Sequence, residues 1–258
     1  MSKLLSAKEK GFSLIELIAV LVVLGIISSV SVSFVVKTTQ SYQQTQARAK
    51  LAMQARQAME RMSRQLRAAL PYSVRITNSG QCIEFMPIAS GGFYINAVAD
   101  TKNNAPAQSS ITVAPHQIDF GTASYMNIGA MSSAEIYGGS GLSIASVSSR
   151  NATNINLTGS KTWLRNSINK RFYLLNSPQA FCVDNNQLKF YDNLSLAATS
   201  INTATTHSLL SSNVSAVTPF SLTVASDNRN TEILMSIRFM ADGQSLNFEQ
   251  QVMIRNVP

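Results

Sequence analysis

Residues able to do chemistry are few and scattered. The chain has two histidines, His116 and His207, and two cysteines, Cys82 and Cys182. A histidine working as acid or base needs a positioned partner. No HExxH, GxSxG or paired-carboxylate motif supplies one, so each reads as a lone surface residue. There is no CxxC and no Cys/His cluster, so no metal site is expected. Asp184-Asn185-Asn186 and Asp227-Asn228-Arg229-Asn230 offer the oxygen ligands calcium takes. Both lack the glycine and distal glutamate of an EF-hand loop and read as turns. Gly138-Gly139-Ser140-Gly141 would cradle a phosphate only between a strand and a helix of the right pattern, which the flanking sequence lacks. The expectation is no catalytic residue and no cofactor. An enzyme tethered by a membrane anchor has no motif in its support.

The exception is Glu16. It lies in Phe12–Val36, 25 residues in which it is the one charge. A carboxylate at the centre of a bilayer costs at least ~2.5–3.5 kcal/mol, so something must offset it. As a helix the segment would reach roughly 37 Å, enough to cross a ~30 Å hydrocarbon core. It is too long for the core of an ordinary cleaved signal, and no A-x-A-like site follows. A plain anchor accounts for the length but not for Glu16. Lys3, Lys8 and Lys10 favour a cytoplasmic N-terminus, while Lys37, Arg48 and Lys50 on the far side weaken that vote.

The net charge of +8 belongs to this arm. Residues 1–70 hold ten Lys/Arg against three Asp/Glu, and residues 71–258 hold eleven against ten. A chain 45% hydrophobic but only 13% charged, where ~25% is typical, suits a β-rich extracytoplasmic protein. In an oxidising compartment Cys82 and Cys182 read as one disulfide, with two free thiols as the alternative. From Lys37 to Leu70 there is neither Pro nor Gly, and Ala, Gln, Arg and Met favour continued helix up to a stop at Pro71. Ala52, Ala55, Met59, Met62, Leu66 and Ala69 form a seam at spacings of three and four, with Arg56, Glu60, Arg61, Arg64 and Arg67 off it. The basic face reads as solvated or as a subunit contact. It lacks the interleaved aromatics of a single-strand binder, which argues against nucleic acid.

Beyond Pro71 the period falls to two. Three hairpins are expected. Ser79-Gly80 would set Ile76 against Ile83 and Val74 against Phe85 on one face, with Arg75 and Glu84 paired on the other. Asn185-Asn186 would pair Val183 with Leu188 and Phe181 with Phe190. Asp242-Gly243 would pair Phe239 with Leu246, Ile237 with Phe248 and Ile233 with Val252. These registers put both cysteines on the face opposite the main apolar set, where a disulfide would tie the first hairpin to the third. Ala89 to Gly159, rich in Gly, Ser, Asn and Thr, reads as long loops with short strands such as Gln117–Phe120.

A basic leader ending in Gly11, followed by Phe12-Ser13-Leu14-Ile15-Glu16 and about twenty apolar residues, resembles the processing signal of type IV prepilins and type II secretion pseudopilins. The resemblance implies that a prepilin peptidase cuts between Gly11 and Phe12 and methylates Phe12. It implies that Glu16 then pairs with the N-terminal amine of a neighbouring subunit, which offsets the cost of burying it. Ser28-Ser29-Val30-Ser31-Val32-Ser33 stands where major pilins of the family often carry a proline, leaving Gly25 as the weak point of the helix. Leu66–Val74, Cys82–Phe85 and Leu246–Pro258 resemble large minor pilins, those of the MSHA (mannose-sensitive haemagglutinin) pilus above all and, more distantly, J-type pseudopilins. The expected architecture is α+β, with a long N-terminal helix packed on antiparallel sheet. Residues 1–11 would be the cleaved leader, 12–36 the transmembrane helix, 37–70 its amphipathic extension and 71–258 a periplasmic domain. The resemblance implies as partners other major and minor pilin subunits and an inner-membrane assembly platform.

Overall fold

The structure is a computed structural model and describes residues 11–115, 123–139, 141–224 and 230–255. The expected strand at Gln117–Phe120 lies outside them. The chain divides into two units, residues 1–49 and 50–258. One helix, α1, runs from Leu14 to Arg67. Within the first unit every residue from 11 to 46 is exposed. The second unit contains all the packing, so each unit is described separately.

In the second unit α1 buries Leu51, Ala55, Ala58, Met59, Met62, Ser63 and Leu66. The seam is therefore wider than expected: Leu51 opens it, Ala58 joins it, and Ala52 is only half-buried. The helix also stops three residues before the expected end at Leu70. The chain turns there to pair with residues 86–88: the Leu70 N–H donates to the Met86 carbonyl (2.9 Å) and the Ile88 N–H to that of Ala68 (2.8 Å). Arg64 and Arg67 sit in the last helical turn, where the macrodipole favours cations.

Next come β1 (Arg75–Thr77) and β2 (Cys82–Phe85), paired in the expected register with Ile76 against Ile83. Ser79 (φ 54°) and Gly80 (φ 91°) make the left-handed turn between them. The structure then departs most from the sequence reading. Instead of long loops, the chain builds β3 (Ile88–Phe93), β4 (Gln108–Thr112), β5 (Tyr125–Asn127), β6 (Ile144–Arg150), β7 (Asn154–Lys161) and β8 (Arg171–Leu175). They pair in the order β3-β8-β5-β6-β7-β4. An antiparallel bridge between Tyr94 and Val113, just beyond β3 and β4, joins the two ends. The result is a closed six-stranded barrel with no long free edge. Its core packs Trp163, Tyr94, Phe172, Met126, Ile155 and Ile111.

Two of the glycines that suggested loop, Gly91 and Gly92, are part of this strand packing. A Cβ at Gly92 would meet the Phe172 ring at 3.0 Å, and one at Gly91 the Phe172 carbonyl at 3.2 Å. Glycine in a strand here marks close approach to a neighbouring strand, not a turn. The serines and asparagines of β6 and β7 lie mostly outside, with Ile155 and Leu157 inside.

The chain then re-enters the first sheet as β9 (Gln179–Asp184) and β10 (Gln187–Tyr191), followed by β11 (Ser208–Ser212), in the order β1-β2-β9-β10-β11. The Asn185-Asn186 turn holds Val183 against Leu188 and Phe181 against Phe190, as expected. A further sheet holds β12 (Val214–Ser215), β13 (Phe220–Thr223), β14 (Thr231–Ala241) and β15 (Gln244–Ile254). β14 and β15 turn at Asp242-Gly243 in the expected register, with β12 and β13 on the other side of β14. Met59, Met62 and Leu66 of the helix share one core with Phe85 and Phe181 of the first sheet and Ile233 and Phe239 of the last. The fold is α+β, a long helix on antiparallel sheets, with a barrel inserted between β2 and β9.

Two carboxylates hold the barrel loops. Glu135 accepts from Arg165 Nη1 (2.6 Å) and from the Ser143 hydroxyl (2.7 Å). Burial pushes its carboxyl up, but these bonds and one from the Met131 N–H together hold it below the usual range. Asp100 is held low by the Asn166 amide (2.6 Å) and by the N–H groups of Asn103 and Lys102. A carboxyl whose pKa is depressed by folding stabilises the fold above its unfolded value and loses that contribution as pH falls through the folded value. Trp163, the one tryptophan, lies in the barrel core. Acidification below about pH 4 should therefore shift its fluorescence to the red, and Glu135→Gln should lower the barrel's stability at neutral pH and reduce, without abolishing, its loss on acidification. An emission spectrum unchanged to pH 2.5, taken as a round test point in that window, would count against the assignment.

Candidate functional site

The first unit carries the motif residues. Gly11 and Phe12 precede α1, and a side chain at Gly11 would meet nothing within 4 Å. Phe12 is exposed. The Glu16 and Leu17 N–H groups both donate to the Ser13 carbonyl (3.0 and 3.1 Å), which starts the helix. Glu16 lies in the first helical turn, where the macrodipole favours an acid. A cut before Phe12 would leave a new amine four residues from Glu16, close to one helical turn. Gly11, Phe12 and Glu16 are all exposed on the arm.

The helix beyond is long and apolar enough to cross a membrane, judged by length and composition. Its leucines, isoleucines and valines from residue 14 to 36 are all exposed, an apolar surface of the kind that lipid or other subunits cover. The serine run is accommodated by back-bonding: Ser29 Oγ donates to the Ile26 carbonyl (2.9 Å) and Ser33 Oγ to that of Ser29 (3.0 Å). Thr38, Thr39 and Thr45 do the same to carbonyls four residues back. This satisfies the hydroxyls in an apolar medium without breaking the ladder.

In the second unit Cys82 and Cys182 are directly opposite one another on β2 and β9, joined by a disulfide and fully buried. They pack with Ala180, Tyr191 and Ile201 in a small core behind the first sheet. Residues 192–206 cover it. Asn78 donates to the Ile201 carbonyl (2.8 Å) and accepts from its N–H (2.9 Å), and the Tyr191 hydroxyl donates to the Thr203 carbonyl (3.0 Å).

Arg75 and Glu84 pair as expected, at 2.7 Å, and that cover buries the pair: Glu84 is only 1% exposed. Arg75 also donates to the Ala198 carbonyl (2.6 Å) and stacks over Tyr137, 3.9 Å from the ring centroid. Burial pushes the Glu84 carboxyl up, and the Arg75 charge only partly counters it. Burial, then the Glu84 charge, pushes the Tyr137 phenol well above its ordinary value. Tyr137 belongs to the barrel's β5–β6 connection, so this cluster ties barrel to sheet. No local pattern around Tyr137 marks it for this junction.

The other candidates are placed as follows. His207 is exposed, with its ring 5.4 Å from that of Tyr191 and Nδ1 2.9 Å from the Thr205 carbonyl. His116, Ser140 and residues 227–229 lie outside the described residues. Asp184 is engaged by Lys189 at 2.6 Å. Gly138, Gly139 and Gly141 adopt positive φ, and the Gly138 N–H is spent on the Leu196 carbonyl (3.0 Å). Among the described residues, no three His, Cys, Asp or Glu side chains converge as metal ligands.

Comparison with known proteins bears on the N-terminal arm. Residues 6–32 match the family described as the prokaryotic N-terminal methylation motif. No curated protein and no solved structure matches the chain. The match spans Gly11, Phe12 and Glu16 and supports the type IV prepilin and pseudopilin family. Together with the apolar helix, it fits a pilin anchored in the inner membrane. The motif suggests a structural subunit rather than an enzyme, and it implies processing by prepilin peptidase and assembly with other pilins.

Two outcomes are expected in the second unit. Replacing both cysteines by serine frees a loop of 100 residues. That should cost ~2–5 kcal/mol and lower the melting temperature by roughly 5–15 °C. Glu84→Ala should cost about 3–5 kcal/mol in a urea titration, because it leaves a buried guanidinium without its counter-charge. Arg75→Met combined with Glu84→Leu should recover much of that loss.

Proposed function

We propose that this chain is a minor pilin of a type IV pilus of the MSHA type, resembling the MSHA pilus biogenesis protein MshO. It acts with other minor subunits in starting the filament or at its tip. The methylation-motif match carries this reading. Prepilin peptidase would cut between Gly11 and Phe12 and methylate Phe12. The chain would be held in the inner membrane by its helix, with residues 71–258 in the periplasm, and drawn into the filament by the assembly platform. Glu16 would then set its register against the N-terminal amine of the next subunit, the pairing that offsets a carboxylate in an apolar core.

The inserted barrel favours a second reading, a tip adhesin or DNA-uptake binding subunit. The barrel has its own core and is no part of the helix-on-sheet body. A minor pseudopilin of a type II secretion system would carry the same arm.

A clean deletion separates these readings, with surface pili counted by electron microscopy, attachment scored beside them and exoprotein secretion assayed. Loss of pili restored by the wild-type chain supports the assembly role. Normal pili with lost attachment supports the tip binder, and lost secretion alone the pseudopilin. Glu16→Ala should leave processing intact but cut incorporation into filaments at least tenfold, a loss of about 1.4 kcal/mol or more. Wild-type incorporation of that variant would refute the register role.

A further inference from the structure

The barrel's outer surface carries an apolar group at the end where β3 meets the turn into β8. β-Alternation turns Tyr94 inward and leaves Phe93 (51% exposed) and Ile95 (47%) outside. Ile168, 92% exposed, stands on the turn leading into β8. That turn is firmly built. The Lys170 N–H closes it on the Ser167 carbonyl (3.0 Å), and the Ser167 N–H donates to the Tyr94 hydroxyl (2.8 Å). The Lys170 carbonyl accepts from the Tyr94 N–H (2.8 Å), and Lys170 Nζ donates to the Ile95 carbonyl (2.9 Å). The Arg171 guanidinium lies 5.6 Å from the centre of the Phe93 ring. Phe93, Ile95 and Ile168 are thus brought to one end of the barrel and bordered by two cations.

The net charge of this stretch of chain is positive. Residues 88–175 carry six Lys/Arg and three Asp/Glu. Of the acids, Asp100 is taken up by Asn166 and backbone N–H groups, and Glu135 by Arg165. Aliphatic side chains at the tip of a fixed turn, bordered by Lys and Arg, suit the boundary between acyl chains and anionic headgroups. Single-stranded nucleic acid fits less well. It calls for a run of open aromatic faces, and the one exposed ring here, Phe93, has Arg171 against it.

We propose that this end of the barrel docks on an anionic lipid surface, with Ile168 and Ile95 entering the headgroup boundary and Lys170 and Arg171 on the phosphates. The inference goes beyond the filament reading and its test needs no filament. The full chain, held in nanodiscs of phosphatidylcholine, is mixed with vesicles of phosphatidylcholine alone or with added phosphatidylglycerol, and flotation is measured. The expected result is flotation with anionic vesicles only, reversed by high salt. Ile168→Asp should lower it at least tenfold and Lys170→Glu roughly fivefold or more, with native Trp163 emission retained in both. Val217→Asp, at an exposed apolar residue outside the barrel, should change nothing. Equal flotation with both vesicle types, flotation that Ile168→Asp leaves intact, clustering of nanodiscs without vesicles, or tighter binding to a single-stranded oligonucleotide would each overturn the proposal.

Discussion

The pairing of β2 with β9 is the constraint on which the second unit depends. The two strands are far apart in sequence and adjacent in space, and the barrel strands lie between them in the chain. The Cys82–Cys182 bond fixes their contact covalently. Beside it Glu84, on the same strand as Cys82, neutralises Arg75 from β1 beneath Tyr137 and residues 192–206. A buried ion pair is a weak source of net stability. Here it acts by geometry, since a guanidinium satisfied by one carboxylate, one carbonyl and one ring face has a single position. Sheet, barrel loop and covering segment are thereby set relative to one another.

Much of the body was legible because its signals are local. Left-handed turns at Ser79-Gly80, Asn185-Asn186 and Asp242-Gly243 each fix a register, and a period of two then fixes which face is inside. The facing of Cys82 and Cys182 followed from those registers alone. The helix seam was legible from its spacing. Its end was not, because Ala69 and Pro87 pair across a gap that no local pattern reveals.

The barrel was hidden for a physical reason. Its strands are joined by closure, which is a property of the set and leaves no trace in any one of them. Their outward residues are Ser, Thr and Asn, their inward ones are spaced by bulges, and Gly91-Gly92 has a turn's composition in a strand's position. Burial of Glu84 was hidden in the same way, because the segment covering it begins over 100 residues later and has no periodicity of its own. On the arm, by contrast, each residue of interest is surface, and the motif is read directly from sequence.

The two ends of the barrel leave the body side by side, since Phe85 and Gln179 are a register pair. Seen from the helix and its two sheets, the whole insertion occupies the place of a hairpin loop. Its length and composition are therefore nearly invisible to the core beneath. Such a cassette can drift, be exchanged or be lost while the residues that pack on the helix stay under their own separate selection. The limit to that freedom is the small set of side chains, Tyr137 foremost, that any replacement would have to supply over Arg75.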